Sequence, residues 1–501
     1  MKFEKQTFWT VAAIVGLALV LRCFALGQQS LWWDEFASWV CSQHGFWGAM
    51  SCDAFQKPPL YYSLLHYWML LFGSSESALR ALSVPPSVVS VWLMYLLGSK
   101  LFGRGPGYLS ALYQAVSTFQ IYFAQEARNY SWLVLFLLLA GLFLWNALND
   151  ALPKHRRLYW IAYTASITLA LYTHYFAAFF IAGHGLYVLF RRRDQLLAAT
   201  ISIGTSFVLI APFLWLFLHH PEASADQLRH FPLLKLPQAY FAFLFGDSLI
   251  PMDNLAVHSL VPTLAAHAWL IALVLMSAAV LCYFCWLAWR RWREPLSYVA
   301  WQAGVPVALA FVISLQKTFF DRRYMIPASG YVYLLIAAAV WEIFLTARGQ
   351  DASRWKAIAG GAAIATWCAL LALSLYQYYF TSRFGKEQWR EAVAYLDAAA
   401  ADSRDLLLVD PGKMQLCFQY YAKRNLHVLP VTPELEDAMA DSEQPVRDHA
   451  RGFHRIWLIY SHTFNQRVLL RLREMYGKGS CREFPQANGI QIYLFQVANS
   501  G

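Results

Sequence analysis

Five short stretches of this chain hold the residues that could do chemistry. Leu31-Trp32-Trp33-Asp34-Glu35 places two acids behind two tryptophans, and Phe55-Gln56-Lys57-Pro58-Pro59-Leu60-Tyr61-Tyr62 places a lysine before a proline pair. Gln125-Glu126-Ala127-Arg128-Asn129-Tyr130, Tyr172-Thr173-His174-Tyr175 and Phe320-Asp321-Arg322-Arg323-Tyr324 follow. A carboxylate can take the proton of an attacking hydroxyl, and lysine or arginine can meet the charge of a phosphate. Each type also has a plain structural use. Asp34 suits a helix N-cap and Glu35 a first-turn acid. Arg22, Arg322 and Arg323 suit snorkelling to headgroups, and His174 suits a hydrogen-bonded interfacial site.

The elements that position these residues follow from composition. Of 501 residues, 58% are hydrophobic, 17% aromatic and only 14% charged. A soluble domain carries roughly 25% charged residues, so a purely cytosolic enzyme, a disordered scaffold and a fibrous repeat are excluded. What remains is an α-helical polytopic membrane protein. Spans of roughly 20 apolar residues begin near Thr7, Ala78, Gly107, Tyr130, Leu158, Tyr175, Leu196, Val261, Tyr298, Tyr324 and Ala357. That is about eleven transmembrane helices. Pro58–Gly73 is apolar but too short to cross, and reads as an amphipathic helix in the outer interface.

Basic residues set the orientation. Lys2 and Lys5; Lys100 and Arg104; Lys154, Arg156 and Arg157; Arg191, Arg192 and Arg193; Arg290, Arg291 and Arg293; and Arg348, Arg354 and Lys356 fall in alternate segments between spans. The positive-inside rule places all six in the cytoplasm. The formal net charge of +10 is then largely a topology signal, and no basic stripe for nucleic acid remains. The N-terminus is inside and the C-terminus outside. The five chemical stretches all fall on the outer face, a convergence that plain structural use does not require. From about Phe384 charged residues become frequent. Asp405–Asp410, Arg455–Ser461 and Gly489–Gln496 read as strands and Gln466–Gly477 as a helix. The expected division is a membrane domain over 1–383, with an outer first loop at 27–77, and an outer α/β domain over 384–501.

Taken in order, the motifs resemble the polyprenyl-phosphate-dependent glycosyltransferases of the GT-C superfamily. The branch is that of bacterial protein O-mannosyltransferase-like enzymes and the aminoarabinose transferases that modify lipid A. The resemblance runs from about Leu21 to Pro327. It implies a GT-C fold in a bacterial inner membrane, with the C-terminal domain in the periplasm. The polyprenyl-phosphate sugar donor, a periplasmic acceptor and membrane lipids would be its partners. It matches Asp34 to a catalytic aspartate, with Glu35 beside it, and Lys57 to a lysine that binds the lipid phosphate. Glu126, Arg128 and Arg323 match positions lining the family's cavity. Tyr61, Tyr130, His174 and Arg322 complete the expected substrate-binding set. The family's metal-holding glutamate is Gln56 here, so no cofactor follows with certainty, although a divalent metal stays open.

A lipid phosphate leaves readily once cations meet its charge, so one base, Asp34, suffices, and in-line attack inverts the anomeric centre. The rival class is a transporter or flippase for a polyprenyl-linked glycan. It would show charges near the bilayer midplane and related halves, whereas the charges here sit at the outer rim. Among eight cysteines, Cys41 with Cys52 share the first outer loop and Cys417 with Cys481 the outer domain, so each couple can pair within its own region in an oxidising periplasm.

Overall fold

A computed structural model describes residues 2–46, 58–219, 232–250, 257–316, 320–348, 354–399, 404–424, 426–461, 466–486 and 489–497. The chain divides into two compact units, Met1–Leu26 with Cys41–Tyr379, and Gly27–Val40 with Phe380–Gly501. Residues 27–40, read above as part of the membrane domain's first loop, thus pack with the C-terminal unit.

The first unit is a helical bundle. Among the described residues, eight helices are long and apolar enough to cross a membrane: Lys5–Cys23, Glu76–Phe102, Tyr130–Asn149, Arg193–Leu214, Ala268–Trp289, Arg293–Ser314, Arg322–Arg348 and Arg354–Phe380. The other three expected spans are helical but fall short. The one near Gly107 breaks at Ser117 into Arg104–Val116 and Thr118–Ala124. Pro153–Thr173 opens on a basic turn, and Ala177–Arg191 has only 15 residues. Leu60–Phe72 forms the short helix expected after the proline pair. It buries Tyr61, Tyr62 and Leu65 and exposes Leu70, Leu71 and Phe72. The helix Pro232–Phe245 has no counterpart in the sequence reading.

Arg22 does not snorkel. It is fully buried and donates to Ser87 Oγ (2.7 Å) and to the carbonyls of Ala18 (3.2 Å), Ala115 (3.0 Å) and Gln114 (3.0 Å). A guanidinium survives burial only when acceptors meet its N–H groups. Here that need clamps three helices together. Residues in or beside several of the basic segments meet one another. Arg192 donates to Asn149 Oδ1 (2.9 Å) and pairs with Glu294 (3.7 Å). Arg291 pairs with Glu342 (3.4 Å), and the Phe102 and Trp292 rings meet at 5.6 Å. This agrees with the alternation of basic loops along the sequence.

The second unit is a five-stranded sheet with helices. Its strands are β1 (Asp405–Asp410), β2 (His427–Pro430), β3 (Arg455–Ser461), β4 (Ser480–Phe484) and β5 (Ile490–Gln496), in the order β2-β1-β3-β5-β4. β1 runs parallel to both neighbours, and β5 is antiparallel to β3 and β4. Central β1 is buried along its whole length, which is why it reads as a continuous apolar run rather than an alternation. Asp405 faces Arg455 across the ladder. Its carboxylate takes two guanidinium bonds (2.8 and 2.7 Å) and one from Trp457 Nε1 (3.1 Å), which helps to set the β1–β3 register. The expected strands and the helix Arg467–Tyr476 form, whereas β2 is too short and β4 too polar to be legible in the sequence.

The cysteines divide differently from expectation in one place. Cys41 is disulfide-bonded, and Cys52 lies outside the described residues. Cys417 and Cys481 are both free. Cys417 is buried in the helix Gln415–Tyr421, while Cys481 is exposed on the edge strand β4.

Asp410 closes β1 and is buried. Burial, with Glu436 adding to it, raises its carboxyl from 3.8 to about 7. The native state therefore holds this proton over a range in which the unfolded chain has released it, so stability falls as pH rises through that range. Asp410→Asn removes the penalty. Its melting temperature relative to wild type should climb between pH 4 and 7, stay level above, and vanish below pH 4, as read by thermal scans of the full-length protein.

Candidate functional site

The first-loop acids sit on the short helix Trp33–Cys41, whose sequence places both in its first turn. The Glu35 and Phe36 N–H groups donate to the carbonyl of Trp32. Trp32, not Asp34, therefore occupies the N-cap, and Asp34 is the second helical residue. Glu35 is the third, and its Oε2 accepts from the Trp32 N–H at 3.4 Å, as in half of a capping box. Expected as part of a catalytic pair, Glu35 is instead completely buried and ion-paired to Lys386 Nζ at 3.1 Å. Asp34 is half-buried, and its carbonyl accepts from Ser38 Oγ (3.1 Å). Both acids belong to the second unit. Lys57 and Gln56 lie outside the described residues.

In the bundle, the turn from Gln125 to Asn129 joins the helices Thr118–Ala124 and Tyr130–Asn149. The Gln125 amide donates to the carbonyls of Leu21 (3.3 Å), Arg22 (3.0 Å) and Phe24 (2.7 Å) and accepts from Tyr378 (2.7 Å). Ser83 Oγ donates to the carbonyls of Glu126 (2.6 Å) and Arg128 (3.1 Å), and Asn129 donates to that of Thr173 (2.6 Å). So held, Glu126 and Arg128 are both buried.

Two other expected residues, Tyr130 and His174, meet Tyr324, which the expected set does not include. The rings of Tyr130, His174 and Tyr324 lie 5.0–6.4 Å apart. Arg128 sits 5.6 Å from the Tyr130 ring and Arg323 5.7 Å from that of Tyr324. His174 Nδ1 accepts from the Phe176 N–H at 3.1 Å, which leaves the proton on Nε2. Arg323 is held by Asp321, which accepts from its backbone N–H (2.9 Å) and from Nε (3.0 Å). Arg322 pairs with Asp247 at 3.0 Å. Both arginines are thus held by acids. Tyr61, on the helix Leu60–Phe72, is fully buried against Tyr62.

Asp247 escaped the sequence reading. Its signal was an acid just after a glycine at the end of an apolar run. The structure explains the placement. The helix Pro232–Phe245 ends inside the bundle, and Gly246 caps it with φ +70° and its N–H bonded to the Ala242 carbonyl (2.7 Å). The carbonyls of Phe243, Leu244 and Phe245 accept from the hydroxyls of Tyr333 (2.8 Å), Tyr113 (2.8 Å) and Thr118 (2.7 Å). Asp247 leaves that cap and meets Arg322. Burial raises its carboxyl, with Arg322 pulling the other way. Among the described residues no three His, Cys, Asp or Glu are grouped to hold a metal ion.

The family model for dolichyl-phosphate-mannose-protein mannosyltransferase matches residues 56–217. ArnT from Cupriavidus metallidurans in its apo crystal structure superposes with a TM-score of 0.58 at 14% identity, over 98% of each chain. The same protein bound to undecaprenyl phosphate gives 0.56 at 14% identity, over 98% of this chain and 99% of that one. The Archaeoglobus fulgidus oligosaccharyltransferase tethered to an acceptor peptide gives 0.55 at 13% identity, over 99% of this chain and 74% of that one. No curated protein matches in sequence. The chain has the GT-C fold, with a small C-terminal sheet domain.

The cap at Gly246 gives a direct check on how Asp247 is placed. A Cβ there would lie 2.4 Å from Thr118 Oγ1, on backbone that L residues avoid. Gly246→Ala should cost roughly 2–4 kcal/mol from the left-handed conformation and the overpacking together. A clear drop in melting temperature of the full-length protein is the expected result.

Proposed function

We propose that this chain is a polyprenyl-phosphate-dependent glycosyltransferase. It moves one sugar from a lipid phosphate to an acceptor on the periplasmic face of a bacterial inner membrane. The N-terminus lies in the cytoplasm, the C-terminal domain in the periplasm, and the acceptor is a lipid, a glycan or a protein. The observation that carries the reading is the fold shared along nearly the whole chain with a protein solved on undecaprenyl phosphate. The cluster of Arg128 and Arg323 with Tyr130, His174 and Tyr324, and Arg322 next in sequence to Arg323, support it.

In this reading Asp34 takes the proton of the acceptor hydroxyl. The acceptor oxygen bonds the anomeric carbon as the bond from that carbon to the phosphate oxygen breaks. The lipid phosphate departs with its electron pair as a dianion, and the anomeric centre inverts. A dianion in an apolar setting needs more than one cation. Lys57 with at least one of Arg128, Arg322 and Arg323 fills that need, and no general acid is required. Glu126, Tyr61, Tyr130 and His174 complete the binding surface.

The test is transfer of radiolabelled sugar from undecaprenyl phosphates carrying mannose, glucose, galactose, N-acetylglucosamine or 4-amino-4-deoxyarabinose into acceptors of a membrane extract. Asp34→Asn should cut turnover by roughly 10²–10⁴-fold, the usual worth of a general base, and a near wild-type rate sinks the assignment. Lys57→Ala should raise the KM for the donor far more than it lowers expression. An unchanged donor KM would place the phosphate elsewhere.

A further inference from the structure

The segment from Gly27 to Phe36, which leads into and opens the helix that bears Asp34, is strapped to the rest of the C-terminal unit. Arg390 donates to the carbonyls of Gln28 (3.3 Å) and Gly27 (3.2 Å), and the Lys386 N–H donates to Gln29 Oε1 (3.0 Å). Ser30 Oγ donates to the Glu387 carbonyl, and the Leu31 N–H to Tyr421 Oη (2.8 Å). Lys413 lies 5.7 Å from the Trp33 ring, and Phe36 packs edge-on against Tyr420 and Tyr421. At the centre is the Glu35–Lys386 ion pair, with side chains 0% and 6% exposed.

A carboxylate without solvent holds its geometry tightly, because water cannot replace a counter-charge that moves away. Adjacent residues on a helix project about 100° apart. With Glu35 locked inward, the direction of Asp34 around the helix is set. Apolar packing alone would tolerate rotation and sliding that the ion pair to Lys386 does not, and the Trp32 N–H bond ties the Glu35 carboxylate to its own helix.

We propose that Glu35 and Lys386 are positioning residues that set the aim of Asp34, so that the C-terminal domain, through Lys386, controls the rate of the transfer step. The proposal rests on Asp34 being the base. A group that works only through Asp34 should affect kcat and not donor binding, and should have nothing left to do once Asp34 is disabled.

The experiment uses full-length protein in nanodiscs and whichever of the five undecaprenyl-phosphate sugars named above is turned over fastest. Glu35→Gln and Lys386→Met should each lower kcat by about 10–100-fold while leaving donor KM within about twofold, and Lys386→Arg should recover most of the loss. In the Asp34→Asn background either change should cost no more than a further factor of about two. Hydrogen exchange over residues 27–41 should quicken in Lys386→Met. If Lys386→Met does not fold, the uncharged pair Glu35→Gln with Lys386→Gln takes its place, with the same expectations. Losses that multiply with Asp34→Asn, or that fall on KM, overturn the proposal. Wild-type kcat in the Glu35 and Lys386 variants with an inactive Asp34→Asn also overturns it and leaves the base assignment standing. A fully active Asp34→Asn overturns both.

Discussion

A carbonyl freed at a helix end inside an apolar bundle has no water to bond, and leaving it unmet costs several kcal/mol. Much of this bundle is arranged around that constraint. The helix Pro232–Phe245 ends among other helices, and hydroxyls from Tyr113, Thr118 and Tyr333 reach its last three carbonyls. Tyr113 is itself held by Trp367 Nε1 (3.0 Å), and Tyr333 by Ser117 Oγ (2.8 Å). Ser117 also caps the helix Thr118–Ala124 by accepting from the Gln120 N–H. The break that shortens one expected span therefore helps to close off another helix, and the residue after that helix's glycine cap is Asp247.

The same accounting governs charge. Arg22, buried in the first helix, has carbonyls and a hydroxyl around it, and these acceptors meet the N–H groups that burial takes from water. Where arginine meets an acid, the pair has a different use. Asp321 both caps the short turn at Arg322–Met325 and holds Arg323. Asp405 ties two strands. Such pairs add little to net stability when compared with good apolar packing, but each has one geometry, and geometry is what a binding or catalytic surface needs.

The two acids of the first loop show how one dipeptide divides labour by helical phase. Glu35 faces inward to Lys386 and the Trp32 N–H, while Asp34 stays half-buried. Composition treats them as equals. Their difference arises because residues about 100° apart on a helix meet different surroundings once one face is packed.

The membrane class, the positions of the long helices, the alternation of basic loops and the three longer strands of the C-terminal sheet were legible in the sequence. They depend on hydropathy, period and local charge, which are properties of neighbouring residues. The ordered motifs also pointed to the GT-C fold. Tertiary structure alone decided that Arg22 is a clamp rather than a snorkelling cation, that Trp32 and not Asp34 is the N-cap, and that Cys417 and Cys481 stay apart. It alone joined residues 27–40 to a unit beginning more than three hundred positions later, through Lys386, and brought Asp247 to Arg322. Partners so far apart in the chain leave no periodic trace, because a buried charge selects its counter-charge by where the backbone passes in space and not by distance along the sequence.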